Sequence, residues 1–506
     1  MCKVLDILDE SVRNDGSKSF NRRHLLSLAA VTVAAISTCA CRPVGPNYSK
    51  PPAPTPQAFK EPLPAGWKEG EPRDDVIRGK WWETFRDPQL NELEEQVQVS
   101  NQNIAQADAQ FRAARAAIRI TRANLFPTIT AGATATNLHS PSTLGSRGFG
   151  GNTQSELTIP TLDFSWEADI WGGVRRAIQN NVAIAQSDFA TLENVKLTMQ
   201  AEVATDYFQL RGLDQEKQLL DTTVVAYQKA LDLTNNRHDQ GIASGADVAQ
   251  AETQLDTTEA QSTDLDVQRS TLEHAIAVLI GKPPAEFAIP RAPISVPPPE
   301  IPVALPSELL ERRPDVASAE RQMAAANAEI GVAKAAYYPT VSLSASAGLE
   351  GSSLLNVFTW PARFWSVGPS LAETIFDAGK RRATTEQMQA NYDATVAAYR
   401  LNVLSAFQDV EDNLATLRVL ANEAGQQDRA VKAAEKSLEL ALYQYRGGIT
   451  AYLQVITAQS AALANEVTQV QLLSRRMTAS VALVKALGGG WDASTIPSAT
   501  QLTSSR

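Results

Sequence analysis

The sequence predicts a mixed α and β chain, written as two copies of one structural unit, with four two-faced strands and two very long helices. Three observations carry that reading: an internal repeat, segments alternating with period two, and two long proline-free stretches of helical composition. Asn124-Leu125-Phe126-Pro127-Thr128-Ile129-Thr130-Ala131 returns as Ala336-Tyr337-Tyr338-Pro339-Thr340-Val341-Ser342-Leu343. Asp169-Ile170-Trp171-Gly172-Gly173-Val174-Arg175-Arg176-Ala177 returns near Asp377-Ala378-Gly379-Lys380-Arg381-Arg382-Ala383, and Gly241, Ile242 and Val248 return as Gly448, Ile449 and Val455. The three anchors keep their order and nearly their spacing. Each half then reads helix, strand, loop, strand, long helix, turn, helix.

The elements follow in chain order. Arg22 and Arg23 precede an apolar run from Leu25 to Ile36 that ends in small residues, the layout of a cleaved export signal over residues 1–40. The run is too short for a bilayer core that needs roughly 20 helical residues. Thr38-Cys39-Ala40-Cys41 resembles a bacterial lipobox with Thr38 in place of leucine. Cys41 is then the lipid-bearing first residue of an extended segment, residues 41–87, and the alternative is an ordinary signal with a chance cysteine. The first repeat occupies residues 88–281 and the second 306–487, joined by a Pro-rich linker over 282–305 and followed by a tail, 488–506. Residues 88–125 and 306–336 have helical composition, stopped by Pro127 and Pro339.

Beyond those prolines the period becomes two. Ile129, Ala131, Ala133 and Ala135 alternate with Thr128, Thr130 and Thr134, and Val341, Leu343, Ala345 and Ala347 alternate with serines. Leu162, Phe164, Trp166, Ala168 and Ile170 alternate with Asp163, Ser165, Glu167 and Asp169. A fourth strand near 367–376 meets a bulge or an end at Glu373. One apolar and one polar face, with Phe126, Trp166, Trp171, Tyr337, Tyr338, Trp360 and Trp365 near strand ends, is the pattern of a transmembrane β-barrel strand. Asp163, Glu167 and Asp169 would line its water-filled interior. Four strands cannot close a barrel, because an open edge in lipid leaves backbone groups unpaired. Copies must share one barrel: two chains give eight strands and a filled interior, three give twelve and room for a pore, and the trimer is favoured.

From Gly172 to Arg237 and from Gly379 to Tyr445 no proline intervenes, and each stretch would extend about 100 Å as a helix. That is several times a hydrocarbon thickness, so these helices project into water. Leu197, Ala201, Ala204 and Phe208 mark one apolar stripe, Val203, Tyr207 and Leu210 another, and Val403, Phe407, Val410, Leu414 and Leu417 a third. Such stripes suit a helical wall with neighbours on both sides. A periplasmic coiled-coil rod is the competing reading, and it leaves the strands without a role.

Further motifs resemble a family. Trp81-Trp82-Glu83-Thr84-Phe85-Arg86-Asp87-Pro88-Gln89-Leu90, Val44-Gly45-Pro46-Asn47-Tyr48 after Cys41, Leu305-Pro306-Ser307-Glu308-Leu309-Leu310-Glu311-Arg312-Arg313-Pro314-Asp315 and Ala406-Phe407-Gln408-Asp409-Val410-Glu411-Asp412 are similar to the TolC-like, NodT-type outer-membrane factors, the efflux lipoproteins. The resemblance implies a homotrimer lodged among outer-membrane lipids by a twelve-strand barrel, continued by an α-helical periplasmic barrel and lipid-anchored at Cys41. It implies passive conduction of drugs, toxic compounds or metal ions, delivered by an inner-membrane pump, of resistance-nodulation-division type, through a periplasmic adaptor (membrane fusion) protein. A TolC-like exit duct for secreted polypeptides is the alternative. The turns at Gly241, Ile242 and Ser244 and at Gly448, Ile449 and Thr450 would dock the adaptor, and Asp247 and Tyr445 match positions that close the narrow end. Ser244 and Asp247 also read as a capping box, so cap and gate stand side by side at Asp247. Thr450, Gln454 and Thr457 stand where the family often has an arginine and two acids.

The composition excludes other classes. A net charge of −10 offers no basic surface for nucleic acid. Cys2, Cys39 and Cys41 cannot build a disulfide framework or a four-cysteine zinc site, the four histidines are scattered, and no hydrolase, Walker or dinucleotide motif occurs. Neither catalysis nor a cofactor is expected.

Overall fold

The computed structural model describes residues 43–62, 79–139, 153–301 and 311–504. The signal segment, Cys41 and residues 305–310 of the proline-bounded motif lie outside the described residues. The elements are α1 (Pro88–Ser100), α2 (Gln102–Ala123), β1 (Thr128–His139), β2 (Thr153–Glu167), α3 (Gly173–Asp239), α4 (Gly245–Leu279), α5 (Pro314–Ala335), β3 (Thr340–Gly351), α6 (Leu354–Val357), β4 (Arg363–Ala372), α7 (Lys380–Arg446), α8 (Tyr452–Ala486) and α9 (Ala499–Ser504). Helices α3 and α7 have 67 residues each, and the returning α4 and α8 have 35.

The continuous helix expected over 88–125 is two helices. Asn101 breaks it: its side chain accepts from the amides of Asn103 (2.9 Å) and Ile104 (3.1 Å), capping α2, and donates to the Leu279 carbonyl at the end of α4 (2.7 Å). The end of α4 thus abuts the start of α2. In the second repeat Arg313 Nη1 donates to the Ala486 carbonyl at 3.0 Å, joining the end of α8 to the start of α5. Each repeat therefore supplies one unbroken helical column and one made of two pieces. Helix α3 packs against α2 and α4 of its own repeat and α5 and α8 of the other, and α7 packs against α5 and α8. The three apolar stripes read from the sequence are buried between these columns.

The tryptophan signature is a structural joint. Trp81–Phe85 forms a 3-10 turn, Arg86 turns the chain through φ 53°, and Asp87 caps α1 by accepting from the amides of Gln89 and Leu90. Tyr207 Oη donates to the other Asp87 oxygen at 2.8 Å, and Trp81 Nε1 donates to Gln200 at 3.3 Å. Phe85 meets Phe208 at 5.1 Å between ring centroids, so the turn is riveted to the middle of α3. One residue beside it is out of place energetically. Glu94 on α1 is fully buried, neither carboxylate oxygen has a hydrogen-bond partner among the described residues, and burial pushes its carboxyl well above the usual range. The raised value makes the cost of burying the charge complete above the folded-state pKa and absent below the ordinary carboxylate range. Glu94→Leu is expected to stabilise the chain by about 1–3 kcal/mol at neutral pH. The gain should shrink below about pH 4 to the smaller cost of a neutral, unpartnered carboxyl, a change that thermal unfolding across pH would read.

The strands form one antiparallel sheet in the order β1-β2-β3-β4. Its register sorts the side chains into rows. Ile129, Phe164, Ala345 and Val367 lie side by side, as do Ala131, Leu162, Ala347 and Trp365; between them run Thr130, Asp163, Ser346 and Ser366, and Thr128, Ser165, Ser344 and Gly368. Apolar rows share one face and polar rows the other. Phe364, lying over Gly348, is an intrusion on the polar side. The alternation would fail in β2, where Leu157 and Ile159 are odd-numbered while Leu162, Phe164 and Trp166 are even. Both pairings of β2 slip by one residue around Pro160, which has no N–H to give. The bulge flips the parity and returns every apolar residue to the same face. β4 ends at Ala372, just before Glu373.

Each sheet exit is clamped in the same way. The Asp169 carboxylate accepts from the amides of Val174 and Arg175 and from Arg175 Nε (3.0 Å), and Asp377 accepts from the amides of Gly379 and Arg381 and from Arg381 Nε (2.7 Å). Asp169 is thus a helix staple beyond the end of β2, correcting its placement on the polar strand face; Asp163 and Glu167 do belong to that face.

Candidate functional site

The end of the helical columns farthest from the sheet is built by two matching turns. Gly241 (φ 73°) and Gly448 (φ 75°) take the left-handed conformation that closes a helix, and the following amides reach back, Ile242 N to the Arg237 carbonyl (2.8 Å) and Ile449 N to the Gln444 carbonyl (2.9 Å). Their geometry leaves Ile242 62% and Ile449 72% exposed, apolar side chains presented at the extremity of the molecule. Ser244 is exposed, and Thr450 has its hydroxyl buried without a partner among the described residues.

Asp247 completes a capping box: its Oδ2 accepts from the Ser244 amide and hydroxyl (both 2.9 Å), and its own amide donates to Ser244 Oγ at 3.2 Å. Oδ1 makes no hydrogen bond among the described residues. Tyr445 is 5% exposed. Its ring lies 5.2 Å from that of Tyr452, and the Arg237 guanidinium sits over it at 4.6 Å while donating to the Tyr445 carbonyl at 3.0 Å. Tyr445 and Asp247 are on different hairpins, and what the structure places against Tyr445 is Arg237. Gln454 and Thr457 are exposed and uncharged. Sequence reading did not single out Arg237, although it stands four residues before the turn glycine in the last turn of α3, where a cation also complements the helix dipole.

A second group missed in the sequence locks the helices to the linker. Asp214 on α3 binds Arg211 (3.3 Å) and Arg269 of α4 (2.7 Å), with all three side chains buried, and also accepts from the Ala292 amide at 3.1 Å. Arg211 and Arg269 in turn donate to the carbonyls of Pro290 (2.6 Å) and Ile289 (2.5 Å). Arg211 and Asp214 are spaced like any solvated helical pair, so nothing local marks them.

At the junction of sheet and helices, the buried Arg176 holds the segment that follows Cys41. It donates to the carbonyls of Val44 (2.9 Å), Pro43 (3.3 Å) and Gly45 (3.1 Å) and to Asn47 (3.1 Å), while the Val44 amide donates to the Trp171 carbonyl at 3.0 Å. Tyr48 closes the cradle through a 2.5 Å hydrogen bond to Glu320.

A sheet apolar on one face and polar on the other, running directly into helices of about 100 Å, defines a membrane protein whose strands meet lipid and whose helices stand in water. The comparisons give that class its family. The chain belongs to the outer membrane efflux protein family, whose sequence model matches residues 93–282 and 305–489. It is similar to the toluene efflux pump outer membrane protein TtgF of Pseudomonas putida, 32% identical over 491 residues that cover 93% of this chain and 98% of TtgF. The pyoverdine export outer membrane protein OpmQ of Pseudomonas aeruginosa is 31% identical over 417 residues, 82% of this chain and 88% of OpmQ. The solved structure of the outer-membrane channel OprN superimposes with a TM-score of 0.81 at 30% identity, covering 88% of this chain and 99% of OprN. The protein is accordingly an outer-membrane efflux channel component and not an enzyme.

Proposed function

We propose that three copies of the chain pool their sheets into a twelve-strand barrel in the outer membrane and their helical columns into a periplasmic tube. That tube would passively carry small molecules handed over by a periplasmic adaptor and an inner-membrane pump of the resistance-nodulation-division type. The observation that carries this reading is the two-faced four-stranded sheet with both edges, β1 and β4, unpaired among the described residues. Lipid tolerates no open edge, and twelve strands leave water inside. Relatives named for toluene and pyoverdine favour small cargo over polypeptides. Removing the protein from its host is expected to raise sensitivity to small toxic compounds. Unchanged sensitivity together with loss of a secreted polypeptide would favour the exit duct instead.

Cys41 is proposed as the lipidated residue. The Arg176 cradle supports this by holding Pro43, two residues on, at the sheet-helix junction, where the proposed barrel would leave the membrane. Ile242, Ser244 and Ile449, with Gly241, Gly448 and Thr450 shaping the turns, are the proposed adaptor contacts. Asp247 and Tyr445 are the proposed gate residues: Asp247 offers a free carboxylate oxygen at the tip, and Tyr445 is the point where Arg237 fastens the end of α7 to α3. Asp247→Ala is expected to cost about 1 kcal/mol of helix capping and also to raise single-channel conductance in a planar bilayer. Lower stability with unaltered conductance would assign Asp247 to the cap alone.

A further inference from the structure

The far rim of the sheet, opposite the helices, carries a cation on the face that meets lipid. Counting along β3 and β4, the apolar face runs through the pairs Val341 with Leu371, Leu343 with Pro369, Ala345 with Val367 and Ala347 with Trp365, and its last pair is Leu349 with Arg363. Acids at this end stay on the other face: Glu350 pairs with Thr158, and Glu156 pairs with Thr136. Arg363 is exposed, and no carboxylate lies within ion-pair distance of it among the described residues. Its guanidinium lies 3.1 Å from the centre of the Trp360 ring, and that ring is itself 74% exposed. The connection between the strands adds Leu354 (66%), Leu355 (89%) and Phe358 (67%), all exposed, while Val357 is buried against Gly351 and fixes the connection to the strand end.

Depth decides what such a group meets. From Val341 to Leu349 is eight residue steps, about 27 Å along the strand and about 20 Å of height at a barrel tilt near 40°. Arg363 therefore stands at the outer margin of the apolar band, where hydrocarbon gives way to headgroups, with exposed aliphatic and aromatic side chains alongside it. An unpaired guanidinium there is a fork for a phosphate oxygen pair, and stacking on Trp360 holds its plane in place. Closing the barrel covers the strand edges and leaves this face outward.

We propose that Arg363 and Trp360, with the apolar side chains of the connection, form a binding site for the phosphate headgroup of an outer-leaflet glycolipid. The proposal rests on the reading that the apolar face meets lipid. The test uses the assembled full-length complex, as wild type and as Arg363→Ala, Arg363→Lys and Trp360→Ala. Each is first shown to keep its oligomeric mass and conductance, so that failure of the barrel reading would be seen separately. The complexes are exchanged into mixed vesicles containing lipid A, or lipid A stripped of its phosphates, then extracted, and the retained glycolipid is counted by native mass spectrometry. Arg363→Ala is expected to retain about tenfold less lipid A, and Trp360→Ala and Arg363→Lys intermediate amounts, since lysine keeps the charge but loses the fork and the stacking. If Arg363→Ala does not assemble, the Trp360→Ala and wild-type arms decide. Equal retention by wild type and Trp360→Ala or Arg363→Ala, or equal retention of the stripped lipid, would overturn the proposal. Displacement of lipid A by millimolar inorganic phosphate would overturn it in favour of a free-anion site.

Discussion

Asp214→Ala is expected to lower the stability of each chain by about 3–5 kcal/mol, read as an early loss of helical signal on heating. Among the described residues the carboxylate is the single acid shared by Arg211 and Arg269, whose side chains are 4% and 9% exposed, and it also receives the Ala292 amide. Removing it leaves Arg211 without its acid in a low-dielectric setting, and Arg269 with only Glu273 nearby at 3.3 Å. The carbonyls of Pro290 and Ile289 still accept from the two arginines but cannot neutralise them. Asp214→Asn should cost less, since the amide oxygen keeps one acceptor. Combining Asp214→Ala with Arg269→Leu should recover part of the loss, because replacing a buried pair is far cheaper than orphaning one partner. The linker fails with the triad, so proteolysis within residues 282–301 should accelerate alongside the thermal change.

The second large effect separates two neighbouring positions on β4. Val367 lies in the apolar row with Ala345 and is 62% exposed, while Ser366 lies in the polar row with Ser346. On a water-bathed sheet Val367→Arg would be nearly neutral. Facing hydrocarbon near the middle of the band, it should cost about 2–4 kcal/mol per chain and abolish the detergent-resistant assembled form. Ser366→Arg, one residue away, should assemble normally and change only conductance and ion selectivity. Assembly of both variants, or failure of both, would contradict the assignment of the two faces.

Much of this architecture is legible in the residues, because it depends on local chemistry repeated twice. Pro127 and Pro339 stop helices, Gly241 and Gly448 turn hairpins, and serines alternating with Val341, Leu343, Ala345 and Ala347 announce a two-faced strand. The departures come where distant segments decide. Pro160 reverses the parity of β2, which is visible only when the register with β1 and β3 is known. Asn101 breaks a helix of good composition because it meets the end of α4, far away in the chain. Asp169 continues the alternation on paper but caps α3 in space. At the tip, the turn residues were readable from glycine and repeat symmetry, whereas Arg237 over Tyr445 joins the ends of two long helices and has no local signature.

The central claim is that one chain supplies too few strands to enclose water and completes its barrel with identical copies. Native mass spectrometry of the complex released from lipid, with the edges of β1 and β4 trapped by cysteine pairs, tests it most directly. Three chains linked edge to edge in a closed ring are the predicted result. A fully folded single chain, or a complex whose β1 and β4 edges never cross-link between copies, would contradict it.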